Sequence, residues 1–436
     1  MKTIFRSTIA LLILQGTLAS FAQTLESKPT DSYFEKFKPL KAPTAGALLL
    51  KPGDRLAICG DSITEQKMYS RIMETYLTVC TPELGVTVRQ YGWGGEVAPG
   101  FLARMTNDCL RFQPTIATTC YGMNDHGYRP YEEAIGQRYR NASTAIIRAF
   151  KGAGARVVHG SPGCVGKKPG WSKDNNWTSE DLNLNLCELR NIGIEIAQAE
   201  QVGFADVFWP MLTAGFAAQQ KHGTNYAIAG KDGVHPDWAG QTVMAQAFLH
   251  ALGLEGDIGT FTVDLRINAA NVSAGHGLVG YEKGELTVLS KRYPFCAPVG
   301  DVTKHNNIRS AMALIPFNDE LNRLMLVVRN PKAQNYKITW GAESHSYSAE
   351  QLGKGVNLAA DFVNNPFTDA FNKVDAAVAA KQAYETKQIK ELFHGDEGKR
   401  DMAATVAASE QTRAPLAEAI KIAFVPVRHT IKIEAE

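Results

Sequence analysis

The sequence predicts an α/β fold built on a parallel sheet, followed by a smaller β-domain that carries an inserted helical hairpin. Three observations predict it. Over residues 46–255, apolar runs of strand composition alternate with segments of helical period, the pattern of a parallel sheet covered on both faces. Ser62, Gly95 and Asn124 each stand just past a predicted strand end, where open α/β sheets gather functional loops. Beyond about Gly256 the pattern becomes short strands separated by Gly, Asn and Pro turns.

The chain opens with the basic Met1-Lys2-Thr3-Ile4-Phe5-Arg6, runs apolar from Thr8 through Leu18, and then shows small residues on either side of Phe21. A basic start, a short apolar run and a small-x-small site describe a secretory signal peptide, here residues 1–22 with cleavage after Ala22. The apolar run is too short for a bilayer and contains Gln15. The mature chain is therefore expected to be secreted or periplasmic, with no later membrane span. Residues 23–45 are polar and broken by Pro29, Pro39 and Pro43, which reads as a surface arm.

Residues 47–50, the turn Lys51-Pro52-Gly53-Asp54 and residues 55–59 read as strand, turn, strand. From Met68 onward Tyr69, Ile72, Met73, Tyr76 and Leu77 fall on one helical face. Strands follow at 86–91, 116–121, 155–160 and 205–208, and helices at 131–152, 181–201 and 239–252. In the second domain, 256–436, short strands are expected at 261–265, 285–289, 324–328 and 336–340. Residues 366–394 and 401–422, rich in Ala, Lys and Glu, form the hairpin, within about 366–422. The alternating tail 429–433 returns as a strand.

Charge narrows the partners. The formal net charge is +2, and loss of the signal, which carries Lys2 and Arg6 and no acid, takes it to 0. A neutral chain has no overall field to draw nucleic acid or an anionic membrane. Seven cysteines, an odd number, leave at least one thiol free or paired between chains. Cys59 and Cys120 sit in apolar runs, where cysteine serves as a small hydrophobe. No Cys/His cluster has zinc-site spacing, and no cofactor or metal is expected.

The chemistry gathers in three strings. A serine hydroxyl needs a base within hydrogen-bond reach and a third group to orient that base. In Gly60-Asp61-Ser62-Ile63-Thr64 the serine sits where a strand hands over to a helix, so it could be a nucleophile or simply an N-cap. Asp232 and His235 stand three apart before the last helix. That is nearly one helical turn, so the carboxylate could hold the imidazole tautomer that leaves the other nitrogen free; an Asx turn beside a surface histidine is the plainer reading. Asn124 can donate its amide and Gly95 a bare backbone N–H. With the N–H of Ser62 these make three donors for an oxyanion. Asp125 is expected to brace its loop.

These residues resemble the SGNH/GDSL hydrolase superfamily. Leu56 to Thr64 is similar to its first block. Gln90-Tyr91-Gly92-Trp93-Gly94-Gly95 is similar to the second, with Gln90 where an Asn is more usual. Gly122-Met123-Asn124-Asp125 and Asp232-Gly233-Val234-His235-Pro236 are similar to the third and last. The resemblance covers roughly 50–254 and implies a flavodoxin-like three-layer α/β/α fold. It also implies ester hydrolysis through a serine acyl-enzyme: Ser62, Asp232 and His235 catalytic, with Ser62, Gly95 and Asn124 as the oxyanion hole. Gly92 and Gly94 are neighbouring alternatives to Gly95.

Trp93, Tyr121 and Trp238 adjoin the expected catalytic residues and are candidate substrate contacts. Trp171 and Trp177 lie on the long polar loop 162–179, with Lys167, Lys168, Lys173 and Asp174. Aromatic faces at a polar site suit sugar rings, although packing is the commoner use of such residues. The expected substrate is an acylated small molecule or polysaccharide, with an O-acetyl esterase on carbohydrate as the first reading. A lipolytic or aryl esterase is the second, and a catalytically silent carbohydrate-binding protein the third.

Overall fold

The structure is a computed structural model that describes residues 24–172 and 176–436. The expected signal segment, and Lys173 and Asp174 of the long loop, lie outside the described residues. The first half runs β1 (Arg55–Gly60), α1 (Ser62–Glu65), α2 (Tyr69–Val79), β2 (Thr87–Gln90), α3 (Ala98–Asp108) and β3 (Ile116–Cys120). It continues through α4 (Glu133–Gly152), β4 (Arg156–Gly160), α5 (Ser179–Glu200), β5 (Gly203–Ala205), α6 (Phe208–His222) and α7 (Trp238–Ala251).

The five strands lie in the order β2-β1-β3-β4-β5, all parallel, which is the flavodoxin-like order. Alternate residues of β1 serve opposite faces. Leu56 and Ile58 join the core under α2 and α7, while Ala57 and Cys59 join the core under α3 and α4. Period-two alternation with apolar residues on both sides is what a sheet buried on both faces requires. The strand order reverses between β1 and β3, so a crevice opens at their carboxyl ends, just before Ser62 and Asn124.

Three local expectations give way. Residues 47–50 are not a strand: the Leu49 N–H bonds to Leu252 O at the end of α7, and the Arg156 guanidinium takes the Leu49 carbonyl. The strand expected at 205–208 ends at Ala205, because the Val207 and Phe208 N–H groups turn to Ser161 Oγ and α6 begins. The N-terminal arm is docked rather than superficial. Phe34 and Phe37 are fully buried, with ring centroids 5.7 and 6.1 Å from Trp209. In this half two helices, α3 and α6, were not expected. Pro99 and Gly100 open the first and Pro210 the second, and proline in a first helical turn is a start signal that reads locally as a break.

The second half holds β6 (Asp257–Asp264), β7 (Ala269–Val272), β8 (His276–Glu282), β9 (Glu285–Ser290), α8 (Ile308–Met312), α9 (Phe317–Leu321), β10 (Arg323–Arg329), β11 (Asn335–Trp340) and β12 (Glu343–Ser348). Then come α10 (Ala349–Lys354), β13 (Val356–Asn357), α11 (Leu358–Asp361), α12 (Thr368–Lys387), α13 (Asp396–Arg400), α14 (Met402–Ala423) and β14 (Val427–Ala435). The strands form two sheets, β13-β10-β6-β7 and β12-β11-β14-β9-β8. The C-terminal strand β14 sits centrally in the second, between β11 and β9. Phe261 on β6 reaches His276 and His429 across the gap, at 5.0 and 5.8 Å between ring centroids.

The helical hairpin occupies its expected stretch of sequence but packs on the first half, with its parallel sheet. α12 lies against α2 and the edge strand β2. Lys381 Nζ is held between Glu74 at 2.9 Å and Glu385 at 3.0 Å, and Arg413 meets Glu385 at 2.6 Å. Lys381 and Arg413 both donate to Val88 O, and Glu385 accepts the Gln90 N–H at 3.2 Å. Side chains thus satisfy the outward backbone groups of an edge strand that would otherwise invite pairing. Burial alone would raise the Glu385 carboxyl, but Lys381, Arg413 and Arg89 outweigh it and hold it low.

Candidate active site

Ser62 opens α1, a single helical turn directly after β1. The N-cap of that turn is Asp61, whose carboxylate accepts the Ile63 N–H at 2.9 Å, so Ser62 is relieved of the capping role and its hydroxyl is available. Ser62 Oγ lies 2.8 Å from His235 Nε2. His235 Nδ1 lies 2.7 Å from Asp232 Oδ2. The other oxygen, Asp232 Oδ1, accepts the Val234 and His235 N–H groups, each at 2.9 Å. The Asx turn of the plainer reading is therefore present, and the same carboxylate also orients the imidazole. Burial would raise the Asp232 carboxyl, but the N–H groups of His235 and Val234 and the imidazole bond outweigh it and hold it below the usual range.

Two loops face this chain of bonds. In Gly92-Trp93-Gly94-Gly95-Glu96 the Glu96 N–H closes a turn on Trp93 O at 3.2 Å, and Gly95 sits at φ +72°, a left-handed conformation natural to glycine. Gly92 is needed for a different reason: a Cβ there would stand 2.2 Å from the Glu65 backbone nitrogen. Its N–H is occupied by Gln90 Oε1 at 3.0 Å. Asn124, after β3, donates one amide hydrogen to Glu96 O at 3.1 Å and accepts the Tyr128 hydroxyl on Oδ1 at 3.2 Å. Its second amide hydrogen remains. Asp125 braces the loop as expected, accepting from Ala98 N–H and Gly122 N–H at 3.0 Å each.

The buried acids beneath the site are shifted. Burial pushes Asp61 up to about 7, helped by the Asp125 and Glu96 charges and opposed by the Ile63 N–H. Burial likewise pushes Asp125 up to about 6 against the Ala98 and Gly122 N–H groups. Glu96 pairs with Arg104 at 2.6 and 2.7 Å and accepts the Tyr121 hydroxyl at 3.0 Å.

The aromatic expectations divide. Tyr121 is a correction: it is 1% exposed, gives its hydroxyl to Glu96 and stacks on Phe101 at 5.5 Å, so it is core and does not meet substrate. Trp93 is half-buried against protein groups, with the Arg104 guanidinium 5.0 Å and the Lys390 ammonium 5.3 Å from its ring. Trp238 begins α7, partly covered, with Arg71 at 5.8 Å. The ring beside His235 is Trp171, 5.8 Å away and edge-on to Tyr128 at 5.9 Å. Trp171 is 47% exposed. Tyr128 escaped sequence reasoning; its only local signal is the position four residues past Asn124, after Gly127. Among the described residues no group of three His, Cys, Asp or Glu side chains could hold a metal ion, and no helix is long and apolar enough to cross a membrane.

A flavodoxin-like parallel sheet thus carries a serine, a histidine and an aspartate hydrogen-bonded in series over its carboxyl edge. Residues 58–243 match the GDSL-like lipase/acylhydrolase family, and this stretch is a carboxylic ester hydrolase domain. Among solved structures it is similar to a gut microbial diltiazem-metabolizing enzyme, at 22% identity and a TM-score of 0.69 over 90% of this chain and 100% of the other. It also matches an acetylxylan esterase from Geobacillus stearothermophilus, at 20% identity and a TM-score of 0.38, over 48% of this chain and 98% of that one. An alpha/beta hydrolase enzyme from the metagenome of Lake Arreo, Spain, matches at 19% identity and a TM-score of 0.37, over 48% and 98%. No curated protein sequence matches the chain.

Proposed function

We propose that the protein is a secreted serine esterase that removes O-acetyl groups from carbohydrate, with Ser62 as nucleophile, His235 as general base and Asp232 as its orienter. The observation that carries this reading is the unbroken Ser62–His235–Asp232 series, at 2.8 and 2.7 Å. Ser62 Oγ attacks the ester carbonyl carbon while its proton passes to His235 Nε2. Asp232 keeps the Nδ1 hydrogen in place and stabilises the imidazolium. The Ser62 and Gly95 N–H groups and the Asn124 amide hold the oxyanion. Gly95 is favoured over Gly92 because the Gly92 N–H already serves Gln90. The alcohol leaves with the proton from His235, and water repeats the cycle on the acyl-enzyme to release acetate.

Trp171 supports the carbohydrate substrate: an exposed indole beside the base offers a flat face to the apolar side of a sugar ring. The basic start, apolar run and small-x-small pattern within residues 1–22 support export. The test is acetate release from acetylated polysaccharides and from small acetyl esters, wild type beside Ser62→Ala. Release from polysaccharide by wild type alone is the expected result. Activity confined to small or fatty acyl esters would replace the carbohydrate reading with a lipolytic or aryl esterase. Equal release by both proteins would remove Ser62 from the mechanism.

A further inference from the structure

We propose that the C-terminal hairpin is a working part of the hydrolase site: Lys390 and His394 act as positioning residues that hold the Trp93–Glu96 turn, and with it the Gly95 N–H and the Asn124 amide. This rests on the oxyanion roles proposed above.

Covering the edge of β2 is done by Lys381 and Glu385 of α12 and Arg413 of α14. The chain goes further. After α12 it widens into a π-helical stretch, Gln388–Phe393, a geometry that often marks functional positions. Phe393 is buried and stacks on Phe112 at 6.2 Å, which anchors the tip beyond the sheet edge. Two side chains there grip the glycine turn. Lys390 Nζ pairs with Glu65 at 2.7 Å and lies 5.3 Å from the Trp93 ring centre. Glu65 closes the helical turn that Ser62 opens, and a Cβ on Gly94 would stand 2.9 Å from its Oε2 and 4.0 Å from Lys390 Nζ. The ammonium therefore ties the nucleophile's helix to the opposing turn.

His394 makes the second grip. Its ring meets Trp93 edge-on at 4.9 Å, and its Nε2 lies 2.8 Å from Asp108, which is fully buried. Asp108 also holds Arg104 at 3.2 Å. Arg104 binds Glu96 through two bonds and the Tyr91 carbonyl through a third at 2.7 Å. The Glu96 carbonyl in turn receives the Asn124 amide. Gln90 ties the other end of the loop, its Oε1 on the Gly92 N–H and its Nε2 on Thr386 Oγ1 at 2.5 Å. Hairpin groups thus hold the loop at both ends, and the His394–Asp108–Arg104–Glu96 series ends on Asn124.

The experiment uses the full mature chain with Lys390→Met/His394→Phe, the single variant Lys390→Met, and the conservative pair Lys390→Arg/His394→Asn. Two quantities are read: hydrogen exchange of residues 92–96, and kcat and KM on p-nitrophenyl acetate, with Ser62→Ala alongside. Misplaced oxyanion donors should lower kcat about 10- to 100-fold with KM within about twofold. Exchange at 92–96 should quicken while β1 and β3 keep their protection, and the conservative pair should restore most of both. Unchanged exchange at 92–96 overturns the proposal, and so does a loosened loop with unchanged kcat. If the double variant does not fold, Lys390→Met alone is judged by the same two criteria. Activity retained by Ser62→Ala would instead overturn the serine mechanism, and loop exchange would still decide the grip.

Discussion

The Tyr128 hydroxyl donates to Asn124 Oδ1 at 3.2 Å while the Asn124 amide nitrogen donates to Glu96 O at 3.1 Å, so the amide is held with its nitrogen toward the glycine loop. An asparagine amide flipped the other way would present an acceptor where a donor is needed. Tyr128 itself sits at φ +53°, an unusual backbone state for a residue with a Cβ, which places its ring between Asn124 and Trp171. Tyr128→Phe keeps the ring and removes the donor. Steady-state kinetics on p-nitrophenyl acetate should show kcat reduced about 3- to 10-fold with KM nearly unchanged, the mark of an interaction that matters in the transition state.

The two loop glycines should respond differently to alanine. At Gly95 a Cβ meets nothing within 4 Å, so Gly95→Ala faces only the left-handed backbone penalty, about 1–2 kcal/mol. At Gly92 the Cβ would collide with the Glu65 backbone, and the loop must leave α1. Denaturant melts should therefore show Gly92→Ala losing more stability than Gly95→Ala. Equal losses would contradict the close approach.

Asp61 predicts a pH dependence of stability. Its folded carboxyl is pushed up to about 7 by burial, whereas the unfolded carboxyl titrates near its ordinary value. The stability tied to its protonated form is complete below the unfolded value and is lost as pH rises through about 7. Asn keeps the acceptor for the Ile63 N–H and cannot ionise. Asp61→Asn should thus gain on wild type between about pH 4 and 7, by something on the order of 2–4 kcal/mol, and hold that gain above it. Urea midpoints at pH 4.5, 6 and 8 test this; a constant difference would contradict the shift.

Trp171 separates the substrate classes. Trp171→Ala should raise KM for acetylated oligosaccharide about 10-fold and leave KM for p-nitrophenyl acetate within about twofold, because one stacked aromatic face contributes roughly 1 kcal/mol or more. Parallel effects on both substrates would mean that the indole supports His235 rather than the sugar.

Ser62, Asn124, Asp232 and His235 were legible because each stands in a short string whose spacing has a local physical meaning. The step of three from Asp232 to His235 is the clearest, since it allows one carboxylate to take two backbone N–H groups and the imidazole. The parallel sheet was legible in the alternation that splits β1 between two cores. The grip of the hairpin was not: Lys390 and Glu65 stand 325 residues apart, and no local period signals such a pair. Tyr121 misled because a tyrosine at a strand end looks the same whether its hydroxyl meets substrate or a buried Glu96. The strands β7, β8 and β12 are largely exposed on both sides, so they lack the alternation that would have announced them. Gln90 looked like a small departure, yet its extra methylene lets one amide serve both Gly92 and Thr386.

All seven cysteines are free and buried, from Cys59 in the sheet to Cys296 beside Asn365. An odd count therefore needs no partner chain to absorb the last thiol. Shielded sulfur reacts only when its surroundings open, so an aromatic disulfide reagent should meet almost no thiol in the native protein. The rate at which colour develops would then time the breathing of each region. Cysteine-to-serine replacements, taken one at a time, would resolve that clock into its separate hands.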